Sequence, residues 1–266
     1  MPLDRVGLGL GLVVALTATT DAFGGAWTAP AGTGQIIVTS TTSVADRVFS
    51  DSATAQPGPR FRKHELQALF EWGLSDWFTA VATPSLQTVE IGAPADVRGS
   101  GIGSSDLGGR FRVWHGENWV LSGQAIVRLP GTSDTADPAA LGRTGVEVDL
   151  RSLFGANFAL FNVPAFFDVQ AAHRFRTGGP PNEFRADATI GLRPFSRWLF
   201  LAQSFNVVSE GVGAPGFAGY AYHRLQFGAV YALTPTLSLQ LGGFVTYAGR
   251  NALQENALIL GAWYKF

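Results

Sequence analysis

Strict alternation of apolar and polar residues is the feature of this sequence that most limits how the chain can fold. In residues 119–130 (WVLSGQAIVRLP), apolar or small residues occupy every second position, and Ser122, Gln124 and Arg128 lie between them. Residues 183–193 (EFRADATIGLR) repeat the pattern. Successive side chains of a β-strand point to opposite faces, so each such segment has one apolar and one polar face. Helical periodicity is nearly absent beyond the N-terminal region, and the alternation predicts an all-β protein.

About twelve such segments follow one another along the chain. They are predicted at residues 34–48, 60–72, 77–87, 102–114, 119–130, 144–154, 158–175, 183–193, 198–208, 219–232, 237–248 and 254–266. The connections alternate strictly in length. Short turns are predicted at residues 73–76, 115–118, 155–157, 194–197 and 233–236, and longer polar links at 49–59, 88–101, 131–143, 176–182, 209–218 and 249–253.

This order of short and long connections is typical of a transmembrane barrel with tight periplasmic turns and longer outer loops. A soluble β-sandwich has no reason to keep it. We therefore expect a single antiparallel up-and-down transmembrane β-barrel of about twelve strands, with both termini on the periplasmic side. Ten or fourteen strands are the nearest alternatives, because the long segment at residues 158–175 is able to bend or divide.

Composition excludes several other classes of protein. The 266 residues carry a net charge of −1, 12% aromatic residues and no cysteine. Abundant aromatics and a balanced charge argue against disorder and against a nucleic-acid partner. Without cysteine there is neither a disulfide framework nor a thiolate zinc site. No internal stretch approaches the roughly 20 apolar residues of a membrane-spanning helix.

The N-terminus has the pattern of a secretory signal peptide at residues 1–22. Arg5 supplies a positive charge that Asp4 partly cancels, residues 7–16 are apolar, and cleavage is expected after Ala22 or near Gly24. The alternative of a membrane anchor is weakened by the shortness of the apolar run. The mature barrel is then residues 23–266, and an exported chain without cysteine fits the envelope of a bacterium.

Aromatic residues cluster at the predicted strand ends, as in the interfacial belts of membrane barrels. They are Trp72, Trp77, Trp114, Trp119, Trp198, Tyr231 and Trp263. The alternative interpretation is an ordinary aromatic core. If the barrel crosses a membrane, its apolar rows face lipid. The residues predicted to do so are Leu107, Phe111, Leu121, Val127, Val148, Phe184, Ile190, Leu239, Leu258 and Leu260.

The last strand resembles the C-terminal assembly signal of Gram-negative outer-membrane barrels. Residues 256–266 (NALILGAWYKF) alternate apolar and aromatic residues up to Tyr264 and the terminal Phe266. The resemblance implies recognition by the barrel assembly machinery and a location in the outer membrane, among its lipid and lipopolysaccharide.

Three further segments resemble the outer-membrane proteins of the MetA pathway of phenol degradation. They are GIGSSDLGGRFRVW (101–114) followed by AIVRLPGTSD (125–134), and KHELQALFEWGLSDWFTA (63–80). Two serines stand where the family's Gly-Asp spacing is tighter, and Pro130-Gly131 lacks the usual intervening residue. The resemblance implies a transporter-like barrel for small, hydrophobic or aromatic solutes.

The search for catalytic chemistry gives little. His64, His115, His173 and His223 have no metal-ligand spacing, and no nucleophile motif accompanies them. The glycines at residues 99–103 lack the strand-to-helix context of a phosphate loop and are expected to turn an outer loop back into the wall. We expect no enzyme activity, no metal and no cofactor. A lipid hydrolase using a lipid-facing Ser–His pair, with Ser204 or Ser209, is the weakest alternative.

The polar faces of the strands predict the lining of the lumen. The candidates are Glu65, Glu71, Arg110, Arg112, Gln124, Arg128, Glu147, Asp149, Asp168, Arg185, Asp187 and Arg224. Neighbouring strands carry opposite signs, so Arg128 is expected to face the strand of Glu147, and Asp168 the strand of Arg185. These charges either only stabilise one another or form a charge screen along a solute path, whose near balance predicts weak ion selectivity. The sequence thus leaves two main functions open: a passive channel for an unidentified small solute, or a structural barrel with a plugged lumen.

Overall fold

A computed structural model describes residues 25–132 and 145–266 of the chain. The predicted signal peptide and most of the predicted link at 131–143 therefore lie outside the described residues. Within those two described ranges, no helix is long and apolar enough to cross a membrane.

The described residues form one antiparallel barrel of twelve strands, as the sequence predicts. The first six are β1 (Gly34–Phe49), β2 (Ala55–Ser75), β3 (Phe78–Thr83 and Ser85–Ile91), β4 (Val97–Ile102 and Ser105–His115), β5 (Trp119–Leu129) and β6 (Glu147–Leu160). The others are β7 (Val163–Arg176), β8 (Glu183–Phe195), β9 (Trp198–Ser209), β10 (Ala221–Ala232), β11 (Leu237–Arg250) and β12 (Ala252–Leu253 and Asn256–Lys265).

Each strand pairs with its neighbours in sequence, and β1 pairs with β12 to close the barrel. β3 is interrupted at Pro84, which has no backbone N–H to donate. The chain ends of the barrel lie side by side, because the N–H of Gly34 donates to the carbonyl oxygen of Phe266 at 2.9 Å. Both ends thus share the rim that carries the short turns.

The outer surface of the barrel is apolar, and the polar faces of the strands turn inward. The ten residues predicted to face lipid are on the outer face, and all but Leu121 have more than a third of their surface exposed. Trp72, Trp77 and Trp198 are exposed beside the short turns. A water-soluble barrel buries its apolar rows, so this exterior indicates a membrane. Trp263 departs from the predicted belt: it points into the lumen, because the outward positions of β12 are even-numbered.

The turn between β6 and β7 lies elsewhere than predicted. Gly155 is inside β6, and the chain turns at Phe161 and Asn162, whose φ angles are 49° and 65°. Two consecutive positive φ angles are the geometry of a type I′ hairpin turn. Gly155 has another role: a Cβ there would lie 2.5 Å from the ring of Trp27, so the glycine makes room for that ring inside the barrel.

The predicted link at residues 88–101 is also wrong. Most of it is a hairpin in which Leu86 pairs with Ile102 and Glu90 with Arg98. Residues 99 and 101 belong to β4 and do not form a loop. Gly103 does lie at the interruption of β4, where a Cβ would meet the hydroxyl of Ser85 at 2.3 Å. The wall on this side therefore rises well above the predicted strand ends.

Candidate functional site: the barrel lumen

The lumen holds a cavity of about 540 Å³ between two unlike walls. One wall carries most of the charges of β4 to β8, and we call it the ion-paired wall. The other belongs to β9–β12 and β1, and we call it the neutral wall. Its lining residues include Ile37, Leu199, Leu201, Gln203, Phe205, Gln226, Gln240, Ile259 and Trp263, together with Gln35, Thr39, Thr41 and one cation, Lys265.

A ladder of ion pairs crosses β6, β7 and β8 on the ion-paired wall. Arg174 Nη2 lies 3.1 Å from Asp149 Oδ2, and Arg151 Nη1 lies 2.6 Å from Asp187 Oδ2. Arg151 also contacts Asp149 at 3.3 Å, so the two arginines and two carboxylates alternate in sign. Neighbouring strands are about 4.8 Å apart, which long side chains bridge easily. The ladder holds charge in a fixed array on one side of the cavity.

At the end farther from the short turns, the ladder continues to the carboxylates of Glu147 and Glu183. Arg176 contacts Glu147 at 2.8 Å and Glu183 at 3.1 Å. The hydroxyl of Tyr220, in the loop before β10, donates to Glu183. Burial and the nearby carboxylate raise the pKa of Tyr220, so its hydroxyl stays protonated and remains a donor. Arg185 also faces this cluster, 3.6 Å from Glu183.

A second, fully enclosed pair lies nearer the short turns. Arg110 Nη2 is 2.7 Å from Glu71 Oε1, and both side chains are almost entirely buried. Glu71 accepts a further hydrogen bond from Gln35 at 2.6 Å, and Arg110 donates to Gln124 at 3.1 Å. Charges this deeply enclosed are stable only when their hydrogen-bonding capacity is met, as it is here.

The remaining predicted charges lie around the lumen in smaller groups. Arg128 forms a bidentate pair with Asp106, at 2.6 and 2.7 Å. Arg224 lies 2.9 Å from Glu255 and between the rings of Tyr222 and Phe244. On β2, Glu65 pairs with Lys63 at 3.1 Å, and on β4 Arg112 lies half-buried beyond Arg110.

The two predicted pairings have different outcomes. Arg128 lies directly opposite Glu147 on β6, as predicted, but it also lies directly opposite Asp106 on β4, and its ion pair is with Asp106 at 2.6 Å. Asp168 does not meet Arg185: its Oδ1 accepts from Gln170 at 2.5 Å, and in the described residues no ion pair is recorded for it. Arg185 lies four residues along β8 from the register partner of Asp168, out of reach.

The neutral wall presents apolar surface and a chain of amides. Gln226 donates to Gln203 at 2.9 Å, and Gln203 donates to Thr189 at 3.2 Å. The indole of Trp263 donates to Gln240 at 2.8 Å. Leu199 and Leu201 pack with Phe166 and Trp263 beside these amides. Because these amides are bonded to one another, this part of the wall offers a solute mainly aliphatic and aromatic contact.

Residues 25–33, which we call the N-terminal segment, precede β1 and show no periodic pattern in the sequence. Ala26, Trp27 and Ala29 lie inside the lumen. Trp27 packs against Phe166, with ring centroids 6.0 Å apart, and against Val120 and Leu153. Ser122 donates to the carbonyl oxygen of Ala26 at 2.6 Å, and Arg110 to that of Trp27 at 2.9 Å. The segment is thus anchored on the ion-paired wall and narrows the lumen near the short-turn rim.

The histidines do not form a site with metal-binding or nucleophilic geometry. Among the described residues, no three His, Asp or Glu side chains lie close enough to hold a metal ion. On the outer face, the amide of Asn206 lies between the imidazole of His223 and the hydroxyl of Ser204. Its Oδ1 is 2.8 Å from His223 Nδ1, and its Nδ2 is 3.0 Å from Ser204 Oγ. An activated serine hydrogen-bonds directly to its base, and the amide occupies that place here.

Comparison with solved structures identifies the architecture. An outer membrane channel of the COG4313 group from Pseudomonas putida F1 superimposes with a TM-score of 0.76 over 91% of this chain and 98% of its own, at 16% identity. The fold is that of an outer-membrane channel. The NanC porin matches with a TM-score of 0.51 at 10% identity, covering 87% of this chain and all of the porin. The translocator domain of the autotransporter NalP from Neisseria meningitidis matches with a TM-score of 0.53 at 13% identity, covering 88% of each chain.

No family model and no curated protein matches the sequence. The structural likeness confirms the predicted transmembrane barrel.

Proposed function

We propose that this protein is a passive outer-membrane channel for small solutes that combine an apolar or aromatic body with a polar group. The observation that carries the proposal is the cavity of about 540 Å³, which has fixed ion pairs on one side and bonded amides among aliphatic and aromatic residues on the other. A solute with one apolar and one polar side finds a matching surface on each wall. The COG4313 protein, itself described as an outer membrane channel, supports this reading.

The electrostatics of the lumen favour a neutral or weakly charged solute. Arg110, Arg128 and Arg151 each have a carboxylate within 2.7 Å, so their fields are largely compensated. Pores that select strongly for one sign carry rings of like charge, and the described lumen has mixed signs. We therefore propose diffusion guided by contact with the neutral wall rather than by charge.

A plugged structural barrel remains the second candidate, and a specific observation favours it. The N-terminal segment buries Ala26 and Ala29 inside the lumen and hydrogen-bonds to the wall. If the segment closes the passage completely, the outer loops become the working surface. A segment that only narrows the lumen leaves a selective channel.

Planar-bilayer recording separates the two candidates. The purified full chain is inserted into a bilayer, and single-channel current is measured before and after benzyl alcohol or sucrose is added. The channel proposal predicts a steady conductance with transient block by benzyl alcohol, which combines an aromatic ring with a hydroxyl group, and little block by sucrose. Absence of any current from inserted protein would favour the structural barrel, and equal block by both solutes would contradict the role of the neutral wall.

Several sequence-based interpretations enter the same proposal. We propose that residues 1–22 direct export, that the C-terminal strand with Tyr264 and Phe266 is read by the barrel assembly machinery, and that the chain is related to the MetA-pathway transporter-like barrels. The outward exposure of Tyr264 and Phe266, at 49% and 48%, supports their accessibility to a partner. We assign the protein no catalytic role.

A further inference from the structure

The outer face of β2, β3 and β4 is layered by polarity. Directly paired residues form each layer. Each layer lies two residues farther from the short-turn rim than the one before it, and we call this direction upward. The first is apolar, with Leu66, Leu86 and Ile102 at 44%, 54% and 51% exposure. The second contains His64, Thr88 and Ser100, and the third contains Arg62, Glu90 and Arg98.

Residues of the second layer form two separate polar contacts along the outer face of the wall. His64 Nδ1 is 2.9 Å from the hydroxyl of Thr42 on β1, and the hydroxyls of Thr88 and Ser100 are also 2.9 Å apart. On the far side of the barrel, Asn206 and His223 form a similar contact at 2.8 Å. These outward polar groups mark the boundary where lipid tails give way to polar surroundings.

Depth along the strand agrees with this boundary. Eight residues separate Trp72 from His64, and the same number separates Tyr231 from His223. At about 3.3 Å per residue and a tilt of about 40°, eight residues rise about 20 Å. The third layer then lies about 25 Å above the tryptophans of the short-turn rim, which is the height of the apolar band of an outer-membrane barrel. It therefore lies at the level of the outer leaflet's headgroups.

The third layer has an excess of positive charge with unused donors. Arg98 Nε lies 3.4 Å and Arg62 Nη1 4.0 Å from the single carboxylate of Glu90, and the two arginine side chains are 69% and 49% exposed. Neither guanidinium has a recorded hydrogen bond to another described residue. Arg60 lies exposed on the same face, one step higher and beside Gly92. On β9 and β10 the positions above Asn206 and His223 are the uncharged Val208 and Ala221. On β1, the exposed Asp46 lies two residues beyond Val44, the register partner of Arg62.

We propose that Arg62 and Arg98, which lie on either side of Glu90, bind a phosphate of lipid A, the membrane anchor of lipopolysaccharide. Arg60 assists them. Guanidinium groups bind phosphate through paired, charge-assisted hydrogen bonds. The apolar layer below them contacts the acyl chains, and the hydroxyl and imidazole layer contacts the sugar. The order of the three layers matches the order of tail, sugar and phosphate in that lipid.

Binding to defined lipids in detergent tests the proposal. The purified full chain is titrated with lipid A that carries both phosphates, with dephosphorylated lipid A and with phosphatidylglycerol, and bound lipid is counted by native mass spectrometry. Arg62→Ser/Arg98→Ser should weaken binding of phosphorylated lipid A about tenfold, to the level of the dephosphorylated lipid. Glu90→Gln should strengthen it a few-fold, because it removes the competing carboxylate.

Arg197→Ser is the matched control, because Arg197 is an exposed arginine in the short turn between β8 and β9, at the opposite rim. It should leave binding unchanged. Equal affinity of the wild type and the double variant for lipid A, or equal affinity of the wild type for both forms of lipid A, would overturn the proposal. Equal binding of phosphatidylglycerol would also overturn it, since the surface would then accept any anionic headgroup.

Discussion

A charge inside this barrel requires a partner within reach, and Arg110 shows how strict the requirement is. Its guanidinium is shared among Glu71, Gln124 and the carbonyl oxygen of Trp27. Glu71→Gln leaves the buried cation without its carboxylate. We expect a loss of about 3–5 kcal/mol in the free energy of unfolding, measured in urea with the barrel in detergent. Glu117→Gln, in an exposed turn, is the control and should cost less than about 0.5 kcal/mol.

Arg128 and Arg112 lie at different depths on the ion-paired wall, and their charge affects any ion that passes. Removing Arg128 leaves the carboxylate of Asp106 uncompensated, because the two are joined by two hydrogen bonds. Arg112→Gln/Arg128→Gln should therefore shift the reversal potential in a salt gradient toward cation selectivity. An unchanged reversal potential would mean that the ion path avoids this wall, and would leave both residues with a structural role.

Among the elements, the N-terminal segment occupies part of the lumen. Trp27→Ala removes the ring that packs on Phe166 and Val120. We expect single-channel conductance to rise severalfold, because the lumen widens where the ring lies. Trp77→Ala is the control: that ring is 60% exposed on the outer rim, and its removal should leave conductance unchanged. If both variants conduct like the wild type, the segment does not limit the passage.

The elements also show where sequence reasoning succeeds and where it ends. Period-2 alternation fixes the face of each side chain, so the strands and the inward position of residues such as Glu147 and Asp187 are predictable. It says nothing about a segment without alternation, and the N-terminal segment was missed. Gly155 was assigned to a turn because glycine is common there, whereas its small size serves the packing of Trp27. Partner choice for Arg128 depends on side-chain reach that composition does not encode, because Asp106 and Glu147 are both directly opposite it in register.

One apolar band surrounds the outer face of the barrel, and the depth of a residue in that band determines the cost of placing a charge there. Ile190 and Leu258 lie in a row of paired outward positions with Phe227, midway between Tyr231 and His223. Arginine at this depth must leave water for hydrocarbon, so Ile190→Arg or Leu258→Arg should each cost about 2–4 kcal/mol of folding free energy in lipid vesicles. Val208→Arg, on the same outer face but above Asn206, should cost about 0–1 kcal/mol. Equal costs at the two depths would contradict the placement of the band. A large cost at Val208 alone would move the boundary toward the short turns, and with it the depth assigned to Arg62 and Arg98.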